Sequence, residues 1–254
     1  MMRKTTFRRF ALALAMAPLA LGLAACGGKD EAGTAALSGD RIAPVAPPAG
    51  KAWADVVTKT PEGGYRMGNP DAPIKLVEYA SLTCSHCAEF AHEASAELRD
   101  TFVASGRVSY EMRNFVRDAI DITAAQLTRC GTPESFFPLS EQVLANQAAM
   151  FQKVQAGGEA AYQAAMAQPD DKRGLAMAEL AGLTEFFAAR GISVDQARAC
   201  LAKPGEAAAL AEATSKQGEE FDITGTPTFL INGSKIEENS WKAIKAKLET
   251  LGAR

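Results

Sequence analysis

The chain has 254 residues, 47% of them hydrophobic and 22% charged, a globular balance for one elaborated domain or two small ones. A chain of that length builds a sizeable core without metal or dense disulfide support. The formal charge is -3, and beyond the four basic residues that precede Ala25 the remainder carries 23 basic and 30 acidic groups, a net of -7. That excess of acid argues against a nucleic-acid partner, which favours a basic face.

Residues 1–25 read as an export signal: a basic start with Arg3, Lys4, Arg8 and Arg9, then an apolar stretch from Phe10 to Ala25. The stretch is short for a membrane-spanning helix. Arg8-Arg9 lacks the surrounding pattern of twin-arginine export, so general secretion is expected. Leu23-Ala24-Ala25-Cys26 resembles the bacterial lipobox, which implies lipidation of Cys26; the alternative is an ordinary signal with a chance cysteine. Residues 26–52 are rich in Gly, Ala and Pro, with no helix or strand period, and read as a flexible tether from the lipid.

The folded part is expected from Trp53. Ile74–Ala80 is a mostly apolar run of strand length after the turn cluster Gly68-Asn69-Pro70-Asp71. Beyond it Cys87, Ala91, Ala94, Leu98 and Phe102 fall on one helical face, with Thr83 as the expected N-cap and Gly106 as the stop. Val108, Tyr110 and Met112 alternate with Ser109, Glu111 and Arg113, which predicts a second strand and closes a first part at 53–116. Residues 117–220 show no strand pattern and are rich in Ala, Leu, Gln and Glu, so a helical insertion is expected there. In 221–254, Thr228–Ile231 is strand-like, Asn232-Gly233 is a type I′ hairpin signal, and Trp241, Ile244, Leu248 and Leu251 share one helical face.

Cysteine usage carries the chemistry. Five cysteines are odd for an exported chain; with Cys26 lipidated, the close pair Cys84/Cys87 and the distant pair Cys130/Cys200 remain. Cys84-Ser85-His86-Cys87 sits between a strand and a helix. A sulfur there meets unpaired backbone N–H groups and the positive end of the helix dipole, both of which stabilise a thiolate. The thiolate is both the attacking and the leaving species in disulfide exchange. Cys84 is therefore expected to be the nucleophile and Cys87, one turn in on the apolar face and less accessible, the resolving thiol. His86 is expected to lower the thiol pKa from a place between the two sulfurs, which favours oxidation of substrate thiols. A structural metal site and a purely structural disulfide are the competing readings. The first lacks ligands, since His86 and His92 are the only histidines, and no metal or organic cofactor is expected. The second gains little loop-closure entropy from so short a ring.

Gly225-Thr226-Pro227 before a strand is by itself an ordinary turn. Together with the upstream CxxC it resembles the cis-proline loop of thioredoxin folds, where a backbone edge accepts an extended substrate. The order of signal, strand, CxHC, long helical block, Thr-Pro strand and terminal helix resembles DsbA-like thiol:disulfide oxidoreductases over roughly 65–254. The resemblance implies an α/β thioredoxin fold with a large helical insertion between the first strand-helix-strand part and the cis-proline hairpin. It implies substrate binding at Thr226 and Pro227, and a structural disulfide between Cys130 and Cys200, against two buried free thiols as the alternative. Glu78, six residues before Cys84, matches the family's buried acid and is the expected proton relay for Cys87, against a strand-end glutamate reaching solvent. Implied partners are unfolded exported proteins and a DsbB-like membrane quinone oxidoreductase for reoxidation, with the membrane reached through the lipid on Cys26. Ser85 departs from the proline of the best-known family pattern, and Thr226 also occurs in isomerase relatives. The leading expectation is thus an oxidase in the periplasm, lipid-anchored to a cell-envelope membrane. A reductase or isomerase kept reduced by a membrane donor, or a non-catalytic holdase, are the rivals.

Overall fold

The computed structural model describes residues 39–254; the signal segment and Cys26 lie outside them. Six strands form one sheet: β1 Val57–Lys59, β2 Tyr65–Met67, β3 Ile74–Ala80, β4 Val108–Asn114, β5 Thr228–Ile231 and β6 Ser234–Ile236, in the order β1-β2-β4-β3-β5-β6. Only β3 and β4 run parallel. They are joined by helix α1, Ser85–Glu97, extended by a π turn over Leu98–Val103. Central β3 is apolar almost throughout because it is covered on both faces, leaving only Lys75 exposed. The same covering extends to β4, where Ser109 and Glu111 are buried along with Val108 and Met112. The two short strands before Gly68 were not visible as a pattern, since three residues cannot establish a period of two.

The block between β4 and β5 contains α2 Ala119–Thr128, α3 Phe136–Ala145, α4 Gln147–Met166, α5 Asp170–Leu180, α6 Leu183–Ala188, α7 Val194–Leu201 and α8 Pro204–Glu220. As expected it is helical, with Phe136, Leu139, Met177, Phe187 and Leu201 among its buried side chains. Gly158, at φ 75, kinks α4. A disulfide joins Cys130, just beyond α2, to Cys200 in α7, with Cα atoms 6.0 Å apart.

After β5, Asn232 and Gly233 take φ 50 and 82, the paired positive values of the expected type I′ turn. The last helix, α9 Trp241–Thr250, buries Trp241, Ile244 and Leu248. Leu251 lies beyond the helix end and is exposed, which corrects its place on that face. Trp241 Nε1–H donates to Glu97 at 3.0 Å and its ring stands edge-on to Phe90, so α9 anchors α1. The tether reading also needs correction over residues 39–52. Gly39 N and Ile42 N donate to Thr250 O and Gly252 O at 2.9 and 3.0 Å, and Val45 N to Ser105 O at 3.0 Å. Arg107 Nε and Trp53 Nε1 donate back to Ile42 O and Val45 O, both at 2.7 Å. Backbone pairing thus fixes a stretch whose composition signals only flexibility.

The Cys130–Cys200 bond closes a loop of 70 residues. Replacing both cysteines by serine is expected to lower the unfolding free energy by about 2–4 kcal/mol in a denaturant titration. The redox behaviour of Cys84/Cys87 should be unchanged, because neither sulfur of the second pair belongs to the sheet-to-α1 connection.

Candidate active site

Strand β3 ends at Ala80, and four residues later Cys84 occupies the N-cap position of α1, with φ -91 and ψ 123. The helix therefore starts one residue later than a Thr83 cap requires. Thr83 instead donates its hydroxyl to Asp118 Oδ2 at 2.9 Å, which corrects the expected N-cap. At the N-cap, the Cys84 sulfur lies among the first free N–H groups of the helix. Cys87, one turn in, is fully buried, and Cys84 is only 4% exposed. Both are thiols in this state.

The expected cis peptide is present between Thr226 and Pro227. Its loop faces the first cysteine: protonated Cys84 Sγ–H donates to Thr226 O at 3.2 Å. The two thiols are pushed in opposite directions. A hydrogen bond from Cys87 holds Cys84 down at about 4, aided by the Thr226 side chain and by the backbone N–H groups of Cys87 and His86, against the cost of burial. Cys87 is pushed up by that same bond to Cys84, by burial, and by the Glu78 carboxyl. One sulfur is thus an anion at neutral pH and the other stays protonated.

His86 does not stand between the sulfurs. Its imidazole is 78% exposed and lies 3.5 Å from Glu89, while its main-chain N–H supports the Cys84 thiolate. Ser85 is exposed as the first residue of α1. Glu78 lies at the centre of the sheet, paired with Met112 on one side and Phe229 on the other, and is 2% exposed. The solvent-facing alternative for Glu78 is thereby excluded. Burial raises its carboxyl to about 7, opposed by a hydrogen bond that Tyr110 OH donates to Oε2.

The residues that hold the loop were missed in the sequence. Gln147, the first residue of α4, donates from Nε2 to Leu82 O and to Cys84 O, each at 2.9 Å. Asp121 of α2 accepts from Leu82 N at 2.8 Å and from Arg117 N at 3.0 Å. Arg117 donates to Ser81 Oγ and Thr83 O, both at 3.1 Å. Asp118 accepts from Thr83 while capping α2 through Ile120 N and Asp121 N, both at 2.9 Å. Every residue from Ser81 to Cys84 is therefore tied to the helical block. The only local signal was Asp118, a good N-cap residue ahead of an apolar helix.

A groove of about 300 Å³ runs beside the cysteines, lined by His86, Glu89, Phe90, Thr226, Pro227 and Ser240 among others. A dithiol at a helix start, facing a cis-proline loop at the end of a mixed sheet whose central strand is covered on both faces, defines a thioredoxin-fold redox centre. The thioredoxin family model matches residues 60–250, and the chain belongs to that family. A helical block between β4 and β5 elaborates the fold. It is 32% identical to a protein-disulfide isomerase from Novosphingobium aromaticivorans, whose crystal structure superposes with a TM-score of 0.68 over 72% of this chain and 94% of that one. Alpha-DsbA1 of Wolbachia pipientis shares the fold at 21% identity and a TM-score of 0.60, over 76% of this chain and 92% of that one. A Rickettsia bellii chain provisionally named a protein-disulfide oxidoreductase is 25% identical over 194 residues. The match covers 76% of this chain and 66% of that relative, so the chain spans about two thirds of the curated relative's length.

Two outcomes follow from this geometry. Raised from 4.5 to about 7, the Glu78 carboxyl holds its proton in the folded state where the unfolded chain has lost it, so stability falls as pH rises through that window. Glu78→Gln removes the penalty: in chemical denaturation of the oxidised protein its advantage over the native chain should grow by about 3 kcal/mol across the window and then level off. For Gln147→Leu, two buried carbonyls lose their donor; a loss of about 1–3 kcal/mol of stability is expected. A rise in the Cys84 pKa, read from ultraviolet thiolate absorbance, should accompany it as the loop slackens.

Proposed function

We propose that the chain is a thiol–disulfide oxidoreductase of the cell envelope that introduces disulfides into exported proteins through Cys84 and Cys87. The single observation that carries this reading is the placement of Cys84 at the start of α1, facing the cis Thr226–Pro227 loop with Cys87 buried one turn behind it, an arrangement that lowers the first thiol to about 4 and raises the second. A stable Cys84 thiolate stabilises the reduced pair relative to the disulfide, which makes the disulfide a good acceptor of electrons.

The cycle balances as follows. In the oxidised protein a substrate thiolate attacks Cys84 Sγ, forming a mixed disulfide and breaking the Cys84–Cys87 bond. Cys87 leaves as a thiolate in a site that disfavours its charge, and Glu78, protonated up to about 7, supplies its proton. A second substrate thiolate then attacks the substrate sulfur, and Cys84 leaves as the stabilised anion. The substrate has lost two electrons and the pair has gained them. Pro227 and the Thr226 backbone present the edge along which an extended, unfolded chain lies during the exchange.

Reoxidation by a DsbB-like quinone oxidoreductase of the membrane is carried over from the family resemblance. Export is supported by the basic and apolar character of residues 1–25, and lipid anchoring by Leu23-Ala24-Ala25-Cys26. Among the described residues no helix is long and apolar enough to cross a membrane. Isomerase activity is the second reading, favoured by the name of the Novosphingobium aromaticivorans relative and by threonine before the cis proline.

The test is Cys87→Ser in cells. With the resolving thiol gone, Cys84 should accumulate in mixed disulfides with exported proteins, and the native pair should be found mostly oxidised by alkylation shift. A pair found mostly reduced favours isomerase or reductase; no mixed disulfides at all, with a Cys84 that titrates like free cysteine, removes the redox reading.

A further inference from the structure

We propose that the two clefts flanking Pro227 select substrate segments whose cysteine has lysine or arginine beside it. The proposal rests on the oxidoreductase reading and adds to it a substrate class. On one side of Pro227, the 300 Å³ groove is lined by Glu89 and Glu93 and contains no lysine or arginine. These two carboxylates stand four residues apart on the exposed face of α1, one helical turn along the same stripe. On the other side, a cleft of about 270 Å³ is lined by Glu237 and Glu238 with Lys235 as its only cation. That lysine is already engaged, 2.5 Å from Asp222 O and 3.6 Å from its carboxylate. Glu238 is paired with Lys247 at 2.9 Å. Among the described residues, Glu93 and Glu237 have no cation within ion-pair distance, and Glu89 has only His86. Three unneutralised carboxylates therefore line the two clefts beside the Thr226–Pro227 loop that faces Cys84.

This field has a definite consequence for the reaction. The attacking species is a thiolate, and a bare thiolate is repelled by the carboxylates it must pass. A lysine or arginine next to the substrate cysteine removes that repulsion by pairing with them, and also lowers the pKa of the substrate thiol so that more of it is anionic. An acidic neighbour does the reverse on both counts. A substrate lying along Thr226 sends side chains on either side of its cysteine toward the two clefts, so both flanking positions are read. The cleft charges are exposed, so each is worth only a small factor and is screened by salt.

The experiment uses the full chain and three cysteine-pair peptides that differ only in the residues flanking the attacking cysteine: lysine, serine or glutamate. Their rates of reducing the oxidised Cys84–Cys87 pair are compared as ratios within each protein variant, which cancels any change in the intrinsic reactivity of the pair. The native chain should prefer the lysine peptide to the glutamate peptide by about tenfold at low salt, with the ratio falling as salt is added. Glu89→Gln with Glu93→Gln should lower that ratio several-fold, and Glu93→Lys should lower it further, toward or below one. A ratio that survives all these variants places the preference in the peptide thiol alone and overturns the proposal, as do equal rates in the native chain. Failure of all three peptides to react overturns the oxidoreductase reading instead, so the two failures are distinguishable.

Discussion

A sulfur anion is easy to make in water and costly to bury. In this chain Cys84 is nearly inaccessible, and burial works against its charge. What outweighs burial is a set of short-range donors: the Cys87 thiol, the Thr226 side chain, and main-chain N–H groups at the start of α1. None of these works unless the loop Ser81–Cys84 delivers the sulfur to the N-cap and holds it there. The rest of the architecture can be understood as the means of doing so. The β3 strand aims the loop, α9 and β5 fix α1 through Trp241, Phe229 and Phe90, and the Thr226–Pro227 loop closes the far side.

The helical block contributes to this constraint without contributing a redox group. Gln147, Asp121, Arg117 and Asp118 reach the loop from α2, from α4 and from the segment just before α2. A loop with its backbone groups paired to a separately packed unit cannot rotate Cys84 away from the helix start without breaking several buried hydrogen bonds together. The Cys130–Cys200 bond joins the chain just beyond the other end of α2 to α7, away from these contacts. The insertion thus acts on the thiolate through the geometry of four residues, which is a narrower role than covering the sheet and explains why its polar residues point inward at that end.

How much of this was readable beforehand follows from how local each feature is. The Cys84–Cys87 spacing, the strand before it, the Asn232-Gly233 turn and the helical periodicity of Cys87, Ala94, Leu98 and Phe102 depend on neighbours in sequence, and each corresponds to an observed element. The Thr226–Pro227 loop was readable only as a partner of the CxxC, through the family resemblance. Long-range pairing left no such trace. Gln147 lies 63 residues from Cys84, and nothing in its surroundings distinguishes it from other helical glutamines. Residues 39–52 looked like linker because Gly and Pro report local freedom, while their hydrogen bonds go to Ser105 and to the last turn of the chain. His86 was misplaced for a related reason: a helix start directs the main-chain N–H toward the sulfur and the side chain outward, so proximity in sequence predicted the wrong group.

The acids around the site set a pH balance that ties stability to redox state. Glu78 and Asp121 are both raised to about 7 by burial, so each destabilises the fold progressively as pH climbs from the ordinary carboxylate range to neutrality. Cys84 acts in the opposite sense and only when reduced. Its thiol is lowered from 9.0 to about 4, so the reduced chain gains stability as pH rises between those values, a gain lost again as pH falls through the lower one. The oxidised chain has no such thiolate, while both states bear the carboxylate cost. The stability gap between the reduced and oxidised forms must therefore widen with pH across the neutral range, and a widening gap is a disulfide increasingly ready to take electrons from substrate thiols. The carboxylate cost is common to both states and cancels from the gap, so the anionic sulfur alone makes the reduced state the one that gains from leaving acid.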